Sequence, residues 1–347
     1  MSNRTELDKL GEFGLIEHIT KDFKNQQDST VKGIGDDCAV IDAGDKYTLI
    51  TTDMLVEGVH FDLTYAPLKH LGYKAVVVNL SDIYAMNGDA NQITVSIAMS
   101  NRFSVEAIEE LYKGIRTACE LYNVDLIGGD TTSSTSGLII SVTAIGEVKK
   151  DEIVYRTGAK ENDLIVVSGN LGAAYMGLQV LEREKAVYKE NPDMQPELEG
   201  VDYILERQLK PEARKDIIHF LKDMSILPTS MIDVSDGLAS ELIHLHKASG
   251  LGMTIYDDKL PIDQETFNVA RDFKLTPATC ALNGGEDYEL LFTMPQQYFE
   301  KLKGNQHFAI IGHVTDENCT VNIVEKNGTI QELTAQGFNH FAGEEKE

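Results

Sequence analysis

The stretch QITVSIAM, residues 92–99, alternates so that Ile93, Val95, Ile97 and Met99 share one parity. A period of two marks a strand buried on one face. LIISVTAIGEV, residues 138–148, repeats the pattern. Between these two stretches Val105, Ile108, Leu111, Tyr112, Ile115, Ala118, Cys119 and Tyr122 follow the three-and-four spacing of an amphipathic helix, with Ser104 placed to cap it. Another helix is expected from Pro67 to Met86, carrying Leu71, Ala75, Val78 and Ile83. The fold class is mixed α/β.

Outward from this core, the charged stretch VKKDEIVYRTGAKEND, residues 148–163, breaks the strand pattern. The domain boundary is placed there, giving units 1–150 and 151–347. The second unit reuses the same vocabulary: strand DLIVVSG, a helix from about Leu171, strand SMIDVSDG, a helix from Leu238 stopped at Gly250, and strand YELLFTM. Residues 184–202, with Pro192 and Pro196, read as a surface excursion.

Length and charge set limits on function. A chain of 347 residues, 42% hydrophobic and 25% charged, can bury two cores. Its 31 basic and 56 acidic residues leave a net charge of -25, which repels phosphate backbones and anionic membrane surfaces. Nucleic acid and membrane are therefore not expected partners. No apolar run reaches the roughly 18 residues a spanning helix needs, and the start MSNRTELDKLGEF has no signal-peptide apolar region. Cys38, Cys119, Cys280 and Cys319 lie far apart without a C-x-x-C pair, which fits a reducing cytosol and no disulfide framework. G-x-x-x-x-G-K-S/T, H-E-x-x-H and G-x-S-x-G are absent, and GIGDDC holds only the first two glycines of G-x-G-x-x-G. His244 and His246 are two apart on a helix and point in different directions, unlike a metal-binding pair.

Six short segments set carboxylates beside a glycine or at the end of an apolar run. They are GIGDD with Asp36 and Asp37, TTD with Asp53, NLSD with Asp82, GGDTT with Asp130, DVSDG with Asp233 and Asp236, and GGEDYE with Glu286 and Asp287. Taken singly, each is ordinary turn chemistry. Taken together, several follow strand-like runs, where α/β proteins gather functional side chains. Carboxylates brought within a few ångströms repel and take up protons unless cations hold them ionised, so convergence implies metal. An all-oxygen set, with Thr51 and Thr52 beside Asp53, selects Mg²⁺ or a similar hard ion. Several such ions would let an acidic protein hold a polyphosphate.

GIGDDCAV, TTDMLVEGVHF, NLSDIYAMNG, LIGGDTT, YRTGAK, IDVSDGL and GGEDYELLF occur here in the order they have in the thiamine-monophosphate kinase family, which this chain resembles from Gly11 to Phe341. The wider superfamily resembles aminoimidazole ribonucleotide synthetase and includes selenophosphate synthetase. TTDMLVEGVHF separates the kinase branch from the synthetases, which carry a DGVGTK-like stretch there. No reactive cysteine lies in an N-terminal glycine-rich segment, as selenophosphate synthetase would need.

The resemblance implies transfer of the γ-phosphoryl group of ATP to thiamine monophosphate. It also implies a two-domain fold whose first domain supplies strands to a barrel shared in a homodimer. Carried over residue by residue, it implies metal ligation by Asp36 or Asp37, Thr51, Thr52, Asp53, Asp82, Asp130, Asp233 and Asp236. Nucleotide contacts fall on Tyr112, Gly129, Asp130, Arg156 and Ser235, and thiamine contacts on His60, Glu286 and Phe338. Asp82, Asp130 and Arg156 are expected to act on the transferred group. Two other readings stay open: another ATP-dependent synthetase of the superfamily, or a non-enzymatic divalent-ion buffer. One contiguous loop such as D-x-D/N-x-D/N-G, which a buffer would favour, is not what the spread of motifs provides.

Overall fold

The structure, a computed structural model, describes residues 10–335. Helix α1 (Gly11–Thr20) leads into β1 (Thr30–Lys32), β2 (Ala39–Asp42), β3 (Lys46–Val56), α2 (Leu68–Ala85), β4 (Asp89–Met99), α3 (Val105–Tyr122), β5 (Asp125–Ser133) and β6 (Leu138–Lys149). The strands form one sheet in the order β1-β2-β3-β6-β4-β5. Only β4 and β5 pair in parallel, Val95 lying opposite Gly129.

After a strand-free stretch come β7 (Leu164–Ser168), α4 (Ala173–Glu190), α5 (Asp202–Leu209), α6 (Lys215–Asp223), β8 (Ser230–Asp233), α7 (Leu238–Ser249), β9 (Met253–Tyr256), α8 (Gln264–Asp272), α9 (Pro277–Asn283), β10 (Leu290–Met294), α10 (Phe299–Leu302), β11 (Phe308–Val314), β12 (Val321–Val324) and β13 (Ile330–Glu332). Their sheet runs β13-β12-β9-β11-β7-β10-β8.

The period-two reading of the first sheet holds: Leu138, Ile140, Val142 and Ala144 of β6 are buried on the face that also buries Ile93, Val95 and Ile97 of β4. Helix α3 starts as expected, Ser104 accepting from the Ala107 amide at 3.3 Å, and stops at Asn123 in the left-handed conformation. Val105 departs from the expected buried face. It is 72% exposed, in the first turn of a helix that packs against α2.

The second sheet is covered on both faces, so its strands read as continuous apolar runs. Val166, Met231, Leu290, Phe292 and Met294 join the core that holds Leu49, Val76, Leu80 and Ile83 of the first half. Their neighbours Ile165, Val167, Ile232 and Leu291 turn the other way, into a core with Leu238, Leu242 and Met253.

Helix α2 lies between the layers: every residue from Leu71 to Ala85 is buried except the half-buried Asp82. It meets α3 backbone to backbone. A Cβ on Gly72 would stand 2.0 Å from the Leu111 carbonyl oxygen, and one on Gly114 would stand 1.9 Å from that of Lys69.

The surface excursion is shorter than the sequence suggested. Helix α4 runs on to Glu190, because EKAVYKE contains good helix formers and the first proline comes only at 192. Among the described residues no helix is long and apolar enough to cross a membrane.

Candidate active site

Three elements from distant parts of the chain meet in an acidic centre. The loop between β1 and β2 brings Asp37, α2 brings Asp82, and the end of β8 brings Asp233. One carboxylate oxygen from each lies within 4.8 Å of the others. Among the described residues this is the single group of three acidic, histidine or cysteine side chains close enough to share a cation.

Each acid is held by a neighbour. Arg156 donates to Asp37 Oδ1 through Nε at 3.1 Å and Nη2 at 2.6 Å. Thr51 of β3 donates to Asp82 Oδ2 at 2.5 Å, and Ser81 donates to Asp233 Oδ2 at 2.6 Å.

Packing this charge away from water has the effect foreseen from the sequence. Burial, opposed by Arg156 and reinforced by Asp233, pushes the Asp37 carboxyl up to about 7. Burial lifts Asp233 to about 6 against the Ser81 hydrogen bond. It lifts Asp82 well above the carboxylate range, with Asp53, Asp233 and Asp37 adding repulsion. Without a cation the trio is therefore driven towards protonation. Asp37 Oδ2 is buried with no hydrogen-bond partner, which is the state of an atom left over for a ligand. A set built of carboxylate oxygens with no nitrogen or sulfur fits Mg²⁺ or a similar hard cation.

The other residues singled out in the sequence surround this trio at different depths. Asp36 accepts the backbone amides of Asp37 and Arg156 through Oδ1, both at 3.2 Å. Thr52 is turned into the first sheet, donating to the Val142 carbonyl at 3.0 Å. The amide of the exposed Asp53 is held by Asn79 Oδ1 at 2.8 Å, and the Asp53 charge bears on both Asp82 and Asp233. Ser235 and Asp236 form the turn after β8. The buried Glu241 anchors that turn, accepting from the Asp236 amide at 3.0 Å and from Ser235 Oγ at 3.5 Å.

Glu286 sits beside that turn, its amide donating to the Ser235 carbonyl at 2.6 Å. His60 receives the Val56 amide on Nδ1 at 3.0 Å. Gly129 and Asp130 lie on the exposed edge strand β5, outside the converging trio; a Cβ on Gly129 would meet the Val95 carbonyl oxygen at 1.8 Å. Tyr112 lines an apolar recess of about 400 Å³ with Met99, Phe103 and Ile108. Phe338 lies outside the described residues. His244 is packed at 4.3 Å against Phe13, as an ordinary helix residue would be.

Lys74, Asn79, Ser81, Gln208 and Glu241 also hold the site and lie outside the set expected from the sequence. Four of these carry a signal in retrospect. Lysine, asparagine and serine interrupt the run GYKAVVVNLSD, and a glutamate follows DVSDGLAS. A polar group inside an apolar helix is retained when it has a partner.

Residues 35–148 match the family described as AIR synthase related protein, N-terminal domain, which sets the class of the fold. Thiamine-monophosphate kinase of Bacillus subtilis is 36% identical over 339 residues, 96% of this chain and 100% of that protein. The enzyme of the same name from Aquifex aeolicus is 37% identical over 291 residues, 84% of this chain and 88% of its own. A solved structure described as AaThiL complexed with AMPPCP and TMP superposes with a TM-score of 0.83 at 32% identity, covering 98% of this chain and 100% of that one. The chain belongs to the thiamine-monophosphate kinase family.

Proposed function

We infer that this protein transfers the γ-phosphoryl group of ATP to the phosphate of thiamine monophosphate, giving thiamine diphosphate and ADP. Family membership supports the reaction, and the observation that carries its chemistry is the convergence of Asp37, Asp82 and Asp233 beside Arg156. An acceptor phosphate oxygen is ionised at neutral pH, so no general base is required. That fits His60, whose Nδ1 is already occupied by the Val56 amide.

Phosphoryl transfer through a loose transition state depends on in-line positioning and on positive charge over the transferring oxygens. Several Mg²⁺ ions, when bound, would supply that charge and offset the repulsion between two anionic substrates. Asp37, Asp82 and Asp233 would hold them, with Asp36, Thr51, Asp53, Asp130 and Asp236 as further ligands and Thr52 contributing its backbone carbonyl, since its hydroxyl is turned into the first sheet. Arg156, Asp130, Gly129, Tyr112 and Ser235 would meet the nucleotide. His60 and Glu286 would meet the thiamine, the carboxylate suiting an aminopyrimidine and a cationic ring.

A homodimer completes the reading. The edge strand β5 leaves Leu126 44% and Ile127 58% exposed, a surface suited to pairing with a second copy. A cytosolic setting agrees with four unpaired cysteines. ADP release tests the substrate: turnover with thiamine monophosphate and none with aminoimidazole ribonucleotide precursors is the expected result, and the reverse preference would overturn it.

A further inference from the structure

We propose that Lys74 is a positioning residue for the organic substrate, acting through Glu286. This rests on the reading of Glu286 as a thiamine contact and names what sets that contact.

Lys74 lies on α2, two turns before Asp82, with a side chain only 7% exposed. Its Nζ is 2.7 Å from Glu286 Oε1 and donates to the Gln208 carbonyl oxygen at 3.2 Å. The buried Gln208 side chain donates from Nε2 to Glu286 Oε2 at 2.8 Å. Both carboxylate oxygens are thus gripped from the protein side by a closed triangle of Lys74, Gln208 and Glu286. The Glu286 side chain nonetheless keeps 29% of its surface open.

The backbone adds a second constraint. Glu286 has φ +58°, a left-handed conformation rarely adopted by a residue with a side chain, and its neighbour Tyr288 has φ +50°. Backbone strain at this turn, together with two donors on one carboxylate, fixes where the two oxygens point.

A buried ammonium is costly unless its partner is well placed, and breaking such a pair leaves an uncompensated charge. Lys74 makes Glu286 an acceptor with a set direction, suited to ligands that present N–H donors or positive charge. The same helix carries Asp82, so Lys74 ties the organic end of the site to the acidic centre.

The test is steady-state kinetics on the full-length protein with Lys74→Met, Gln208→Met and Glu286→Gln, each checked by thermal unfolding. Lys74→Met is expected to raise the KM for thiamine monophosphate about tenfold while the KM for ATP moves less than about twofold. Gln208→Met, which removes the side-chain amide and with it the Nε2 donor to Glu286 while leaving the backbone carbonyl that Lys74 donates to, should shift the same constant in the same direction by about threefold. In the double variant Lys74→Met/Glu286→Gln the effects should be well below additive, as for residues acting through one another.

If Glu286→Gln raises the KM and both Lys74→Met and Gln208→Met leave it unchanged, Lys74 does not position Glu286. Equal rises in both KM values, or additive effects in the double variant, would make the residue merely structural and overturn the proposal. An unchanged KM in Glu286→Gln would instead remove the underlying reading of Glu286.

Discussion

Ser81 on α2 donates to Asp233 Oδ2 at 2.6 Å, joining the helix to the end of β8, 152 residues further along the chain. The same helix receives Thr51 on Asp82, holds the Asp53 amide with Asn79, and pairs Lys74 with Glu286. Helix α2 thereby fixes parts of both halves of the chain against one another.

Ser81→Ala removes the one hydroxyl that opposes the burial of Asp233. The carboxyl pKa should rise further and a buried acceptor should lose its partner, at a cost of about 1–3 kcal/mol. Thermal unfolding in chelator should show the loss, and calorimetry should show weaker Mg²⁺ binding near neutral pH. An unchanged Mg²⁺ affinity would mean that Ser81 does not tune Asp233.

Asp37 and Asp233 set a pH dependence whose sign can be worked out. Their folded pKa values, about 7 and about 6, stand above the ordinary 3.8. Between 3.8 and about 7 the folded metal-free protein therefore binds more protons than the unfolded chain, so its stability falls as pH rises through that window. A bound cation removes the penalty. Stabilisation by Mg²⁺ should consequently be greater near pH ~8 than near pH ~5.5, and binding near pH ~6 should release protons. Melting curves with chelator or Mg²⁺ at both pH values check this; an equal Mg²⁺ effect at the two would contradict it.

The contact of α2 with α3 admits no Cβ. Gly72→Ala would place a methyl group 2.0 Å from the Leu111 carbonyl oxygen and force the helices apart. A loss of about 1–3 kcal/mol or more in unfolding free energy is expected, as for overpacking elsewhere. Weakened activity should accompany it, since α2 carries Asp82. Denaturant unfolding of Gly72→Ala and Gly114→Ala measures the effect, and wild-type stability in both would refute the close approach.

Legibility in the sequence followed the physics of each element. Strands β4 and β6 bury one face, so their alternation was visible in Ile93, Val95, Leu138 and Ile140. In β7, β8 and β10 both faces are covered, which hid the alternation and left an apolar run followed by polar punctuation. The acids of the trio stood out only as members of a set of six carboxylate-bearing segments, since each taken alone is ordinary turn chemistry. Ser81, Asn79 and Lys74 did not, because a buried polar side chain declares itself only through a partner far away in sequence. The end of α4 is hard to read because its polar last turns resemble a loop until the proline at 192 is taken as the boundary.

Asp82→Asn tests the central claim most directly. The change keeps the side-chain volume and removes one charge from the trio that would hold Mg²⁺ against the reacting phosphates. At saturating Mg²⁺ and substrates the account requires kcat to fall about 10³-fold, equivalent to roughly 4 kcal/mol of transition-state stabilisation, with thiamine monophosphate binding largely retained. Near wild-type turnover under those conditions would contradict it.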